Sequence, residues 1–178
     1  MPIIRVATEA DAPAIREVVS NAYDEFGFIW DPDGYHTDLF HIESHYASPS
    51  SFWVAEQDGR ILGCVGLEVF ERLPGDPGET TLVNGQIRVA GADCEIMRLY
   101  LRPEARGMKL GYRLTQTTID HALNHKCENM EIWTDKVLHK AHELYQSMGA
   151  KIVGERLCPP PEESPEWGMI LPLKQAQT

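Results

Sequence analysis

No apolar stretch of the chain approaches the roughly 20 residues that a helix needs to cross a bilayer, so no membrane span is expected. The first residues, MPIIRVATEADAP, lack the basic start and apolar middle of a secretory leader, which makes a cytoplasmic location the expectation. Cysteine is sparse. Cys64, Cys94, Cys127 and Cys158 stand far apart, with neither the CxxC pairing of a zinc site nor the density of a disulfide scaffold, and they read as reduced thiols. Basic side chains are few, 16 against 27 acidic, and the formal charge of -11 repels phosphate backbones, which argues against a nucleic-acid partner. Internal repeats and low-complexity tracts are also missing.

What remains is an ordinary globular composition, 43% apolar and 24% charged over 178 residues. One hydrophobic core fits that length, so a single domain over residues 1–178 is expected. Ile3 to Val6 reads as a short strand. Ile15, Val18, Val19 and Ala22 then recur at helical spacing and predict a helix from about Asp11 to Tyr23. Residues 24–50 form a loop-rich region with a short helix near Tyr35 to Tyr46. In SFWVAEQDGRILGCVGLEVF the Asp-Gly between two β-type runs marks a hairpin. Residues 73–85 read as loop and Gln86 to Ala90 as a strand segment.

Glu95 to Leu101 reads as a strand, Leu110 to Leu123 as a helix, and Met130 to Thr134 as a second strand, together a βαβ crossover with parallel strands. A helix over Leu138 to Ser147 ends at Gly149 as a left-handed cap, before strands at Lys151 to Glu155 and Gly168 to Leu173. The fold class is mixed α/β: a central, mostly antiparallel sheet flanked by helices.

Between the first crossover strand and its helix lies Arg106-Gly107-Met108-Lys109-Leu110-Gly111. Orphan N–H groups and the positive end of a helix dipole attract anions at such a place, and a pyrophosphate suits it. A tight strand-to-helix connection without a ligand has the same outline. The segment resembles the acetyl-CoA turn of the GNAT superfamily of N-acetyltransferases, Gln/Arg-x-x-Gly-x-Gly/Ala, with Arg106 and Gly111 on its first and last positions. The resemblance extends over most of the chain, through the hairpin, the strand Glu131-Ile132-Trp133-Thr134, and Ala141 to Ala150, which is similar to the family's Ala-x-x-Leu-Tyr-x-x-x-Gly-Phe. Three positions depart from the pattern: Lys109 replaces a glycine, Ala150 a phenylalanine, and Leu138 an asparagine that contributes to CoA binding. At 109 a side chain is tolerated if the residue already has helical backbone angles, and a lysine there adds a charged contact to phosphate.

The resemblance implies acetyl-CoA as cosubstrate, its pantetheine arm on the main chain of Leu99, Tyr100 and Leu101 and its pyrophosphate enclosed by Arg106 to Gly111. By strand alternation Leu99 and Leu101 are also core residues. Acetyl transfer to an amine needs a base and an acid. Glu95, eleven residues before Arg106, has the offset of the family's catalytic glutamate, and a desolvated carboxyl there would accept a proton near neutral pH. It is equally a solvated charge at a strand start. Tyr145 falls on the tyrosine that in relatives protonates the leaving thiolate; packing with its hydroxyl bonded elsewhere is the alternative.

Trp30 and Tyr35, in the loop-rich region, are candidates to line an acceptor pocket together with Glu95, whereas Trp53, Trp133 and Trp167 read as structural. Asp24, Glu25, Asp31, Asp33, Asp38 and Glu43 form an acidic run without Lys or Arg between its ends, able to draw a cationic amine or simply to solvate a loop. His121 with His125, and His139 with His142, have helical spacing, but no third ligand accompanies either pair and no metal is expected. The function implied is acetyl transfer from acetyl-CoA to a primary amine of a small molecule or peptide through a ternary complex. A non-catalytic acyl-CoA sensor of the same fold is the alternative, and a nucleotide-binding protein is disfavoured by the absence of GxGxxG and GxxxxGK[ST]. The acceptor's identity is open, and a homodimer is compatible with the sequence.

Overall fold

The computed structural model describes residues 1–174. In chain order its elements are β1 (Ile3–Val6), α1 (Ala12–Phe26), α2 (Ile42–His45), β2 (Ser51–Gln57), β3 (Arg60–Val69), β4 (Thr80–Val83), β5 (Gln86–Val89), β6 (Cys94–Leu101), α3 (Leu110–Asn124), β7 (Asn129–Asp135), α4 (His139–Ser147), β8 (Lys151–Leu157) and β9 (Pro165–Pro172). The chain divides into two compact units. The first comprises Met1–Glu68, Met97–Thr118 and Pro160–Glu162, and the second Val69–Ile96, Ile119–Pro159 and the chain from Glu163.

In the first unit the strand order is β1-β2-β3-β6, with β1 and β3 both antiparallel to β2. Asp58 and Gly59 join β2 to β3 at φ 53 and 77. Two successive positive values are what a type I′ turn requires, so the Asp-Gly signal forms the expected hairpin. Gly63 on β3 is demanded by close approach, since a Cβ there would lie 2.4 Å from Leu101 Cδ2 and 3.0 Å from the Tyr100 carbonyl oxygen. The core packs Ile15, Val18, Val19 and Tyr23 of α1 against Leu39, Ile42, Phe52 and Val54. Each large side chain so buried stabilises the fold by about 1.5–3 kcal/mol. α1 runs three residues past the expected end at Tyr23, because the residue able to turn left-handed and cap it is Gly27, at φ 72.

In the second unit the order is β6-β7-β9-β8. β6 and β7 are parallel, pairing Cys94 with Met130 and Glu95 with Glu131, as the crossover predicts. β7 and β8 both run antiparallel to β9. β4 and β5 form a separate two-stranded ribbon. Its turn is Asn84-Gly85, at φ 49 and 78. That dipeptide lies inside the stretch expected to be loop, so β4 is a correction to the sequence reading. α4 ends as expected with Gly149 left-handed, at φ 106. The fold is mixed α/β, its strands flanked by helices. No helix among the described residues is long and apolar enough to cross a membrane.

Candidate active site

In the first unit β6 is interrupted at Arg98, whose φ of 53 is left-handed. The strand then continues through half-buried Leu99, Tyr100 and Leu101. Arg102 follows, buried, its Nε donating to the Ile61 carbonyl at 2.8 Å and its Nη1 to Glu17 at 3.1 Å. Arg106, Gly107, Met108 and Lys109 make the exposed turn into α3, and buried Leu110 begins the helix. Gly107 and Lys109 sit at φ 81 and 58. Lys109 therefore does not meet the condition of right-handed helical angles under which a side chain is tolerated, and occupies the left-handed region that favours glycine. The turn delivers the N–H groups of α3's first turn, which no intrahelical carbonyl can satisfy, onto one exposed segment. Arg106 is engaged by Glu25 of α1, Nη1 to Oε1 at 2.7 Å and Nη2 to Oε2 at 2.5 Å. The pair is well exposed and therefore worth little.

The loop between α1 and β2 is more tightly built than its composition implies. Trp30 lies on the first unit's core, its ring 4.4 Å from that of His36. Tyr35 stands over the Arg98 guanidinium at 4.6 Å. Arg98 Nη2 also donates to the Tyr35 carbonyl, at 2.6 Å. Both aromatic candidates thus carry packing contacts within this unit. The acidic run is compensated from farther along the chain: Arg98 binds Asp38 at 2.9 and 3.1 Å, and Arg106 binds Glu25. Asp31 accepts the Tyr35 N–H and Glu43 that of Glu9, at 2.8 and 3.2 Å. A uniformly anionic surface is therefore not what this segment presents.

His36 is fully buried in that loop. Its Nδ1 lies 3.1 Å from the Asp31 amide nitrogen and 3.2 Å from the Asp31 carbonyl oxygen, while Nε2 has no hydrogen-bond partner. Burial first, and then the charge of Arg98, push its pKa down from 6.5 to about 4. A histidine held neutral stabilises the fold above its unfolded value near 6.5, and that stability is lost as pH falls through 4. The unfolding free energy should drop by about 3 kcal/mol across this window. Denaturant titrations at pH 7.5 and 4.5 will measure the drop, and in His36→Phe its histidine share should vanish. An unchanged slope in that variant would refute the assignment.

The second unit holds both catalytic candidates. Glu95 and Glu131 are register partners on β6 and β7, and both are bound by Arg88 of β5. Glu131 has no exposed surface and accepts Arg88 Nε at 2.9 Å, Arg88 Nη2 at 2.7 Å, the Val89 N–H at 2.9 Å and Trp133 Nε1–H at 2.6 Å. Arg88 Nη2 reaches Glu95 at 3.3 Å. Glu95 thus has an arginine within hydrogen-bonding distance, a neighbour that the strand pattern did not announce. Tyr145 is buried on α4. The histidine pairs come within ring distances of 4.4 and 5.9 Å, but His142 Nε2 is taken by the Asp135 carbonyl at 2.9 Å.

A model of the GNAT acetyltransferase family matches residues 15–150. The chain belongs to that family. Among curated relatives of this GNAT chain is an uncharacterized N-acetyltransferase of Schizosaccharomyces pombe, 29% identical over 151 residues, covering 84% of this chain and 82% of that protein. N-acetylaspartate synthetase of Mus musculus is 28% identical over 121 residues, 67% of this chain. This chain spans only 34% of that relative's length. A GNAT acetyltransferase structure from Staphylococcus aureus superposes with a TM-score of 0.75 at 20% identity, over 98% of this chain and 100% of that one. The structure of yncA from Salmonella typhimurium, described with its cofactor acetyl-CoA, gives 0.72 at 19% identity over 99% and 96%. The sequence alone did not reveal three groups that brace the candidate residues: Arg88, Glu131 and Arg98. The Asn84-Gly85 turn was the available signal for Arg88, because it defines the ribbon that carries it.

Proposed function

We propose that this GNAT chain works as one catalytic domain that moves the acetyl group of acetyl-CoA to a primary amine of a small molecule or peptide. The observation that carries the reading is the turn from Arg106 to Gly111, where left-handed Gly107 and Lys109 present the first N–H groups of a 15-residue helix. In this reading those groups and Arg106 hold the pyrophosphate, and the main chain of Leu99 to Leu101 receives the pantetheine arm. The amine nitrogen attacks the thioester carbon, and its proton passes to Glu95 directly or through water. The C–S bond then breaks as Tyr145 gives its proton to the CoA sulfur. Arg88 Nη2, 3.3 Å from the Glu95 carboxylate, holds it in place to accept that proton. Trp30 and Tyr35 remain the candidates to shape the acceptor side.

Gly107 tests the cofactor half. A Cβ added there meets no atom within 4 Å, so Gly107→Asp adds bulk and negative charge without disturbing packing. Its left-handed φ is one that aspartate tolerates better than most residues. Calorimetry should show CoA binding weakened at least tenfold, with Gly111→Asp behaving alike, and unchanged affinity would remove the site. A panel of amines with mass detection of the acetylated product tests the other half. An amino acid leads the panel because one relative is named N-acetylaspartate synthetase. Glu95→Gln should lose most of the rate. CoA binding without turnover on any amine would instead favour an acyl-CoA sensor.

A further inference from the structure

Two of the four cysteines stand together in the second unit, although 32 residues separate them in the chain. Cys94 opens β6 and Cys127 lies in the connection from α3 to β7. Their sulfurs and a carboxylate oxygen of Asp93 all fall within 4.8 Å of one another. Cys94 is fully buried and Cys127 only 3% exposed. The backbone on both sides is pinned. Asp93 N–H donates to the Asn129 carbonyl at 3.1 Å, and Cys127 N–H to the Ala122 carbonyl at 2.9 Å. The Asp93 carboxylate accepts the Glu128 N–H at 3.1 and 2.9 Å and the Asn129 N–H at 3.1 Å. The two thiols are therefore presented to each other by a framework that neither of them supplies.

A metal is the first chemistry such a trio brings to mind. Asp93, however, already accepts two backbone N–H groups, and even with it the trio is one short of the four ligands of a structural zinc site. A dithiol needs nothing further. Cys94 Sγ–H has the Asn129 carbonyl as acceptor at 3.8 Å, and the contact between the two sulfurs holds Cys127 below and Cys94 above the ordinary thiol value. Cys127 is consequently the sulfur that reaches the thiolate first, and the thiolate is the nucleophile.

We propose that Cys94 and Cys127 form a reversible intramolecular disulfide when the protein meets a small peroxide. The Cys127 thiolate attacks one oxygen of hydrogen peroxide, the O–O bond breaks, and Cys127 sulfenic acid and hydroxide result. Cys94 sulfur then displaces the sulfenic oxygen, which leaves as water with the proton of the Cys94 thiol. The two sulfurs lose one electron pair in total and the peroxide gains it. Closing the bond brings the sulfurs to about 2.05 Å, a movement that the β6–β7 connection must absorb. Cys127 keeps 3% of its surface exposed, and hydrogen peroxide is far smaller than a disulfide oxidant such as glutathione disulfide. The proposal does not depend on the acetyl-transfer reading.

The test is to treat the full-length protein with hydrogen peroxide, block remaining thiols with N-ethylmaleimide in denaturant, digest without reductant, and map the peptides by mass spectrometry. The expected product is a cross-linked pair of peptides containing Cys94 and Cys127, two hydrogens lighter than their sum and separated by dithiothreitol. Cys94→Ser should leave Cys127 as a sulfenic acid that dimedone traps, and Cys64→Ser should retain the cross-link. Maleimide on both Cys94 and Cys127 after peroxide would overturn the proposal. So would one equivalent of zinc held by the reduced protein and released in Cys94→Ser, which would identify a metal site instead.

Discussion

Tyr145→Phe is expected to lower the turnover number by on the order of 10²-fold or more while leaving acetyl-CoA affinity unchanged. Only a hydroxyl is removed, and the ring that fills the buried face of α4 stays. A phenol, which ordinarily titrates near 10, is a competent donor to a departing alkyl thiolate and stays protonated at neutral pH. Loss of that proton raises the barrier for C–S cleavage alone, so kcat and kcat/KM should fall together while calorimetric CoA binding holds. That split separates an acid from a packing residue, whose loss would reduce the folded fraction or the affinity instead. Wild-type turnover in Tyr145→Phe would end the assignment. A thioester analogue with a better leaving group should recover much of the lost rate in the variant, because a more acidic thiol needs no proton on leaving.

What the sequence made legible was local. Asp58-Gly59, Gly149 and the helical spacing of Ile15, Val18 and Val19 each dictate a conformation from a few neighbouring residues, and the corresponding elements form where expected. The turn from Arg106 to Gly111 was legible for the same reason. The groups that hold the candidate site together were not. Arg88 lies 43 residues from Glu131, and Arg98 lies 60 from Asp38. Such pairs are chosen by tertiary packing, and no periodicity announces them. The acidic run misled because charge was counted along the chain, whereas Glu25 and Asp38 are neutralised by arginines from β6 and the turn after it. Lys109 shows a second kind of failure: a lysine gives no sign that its backbone must turn left-handed, since that conformation is imposed by the connection it sits in.

Removing the Asp38 carboxylate should cost far more than an ordinary surface charge does. Asp38 and Arg98 are about 7% and 6% exposed at their side chains and make a two-point contact. Tyr46 donates its hydroxyl to Asp38 at 2.6 Å, and Arg98 spends a further N–H on the Tyr35 carbonyl. Burial alone would raise the Asp38 carboxyl, but the charge and hydrogen bonds of Arg98, aided by Tyr46, outweigh it and hold it below its ordinary value. The pair's stability is accordingly present above the ordinary carboxylate range and is lost as pH falls through that lowered value. Asp38→Ala leaves a guanidinium that cannot shed its charge locked in an apolar surround, at a cost of about 3–5 kcal/mol. The midpoint of urea unfolding at pH 7 should fall accordingly with an unchanged m-value. Replacing both partners, Asp38→Leu with Arg98→Met, should recover most of the loss, because the unpaired charge and not the missing attraction carries the cost. A loss under about 1 kcal/mol in Asp38→Ala would show that solvent reaches the pair. In that case the loop bearing Trp30 and Tyr35 would be held on β6 by packing around Tyr23 and His36, with the ion pair incidental to its position.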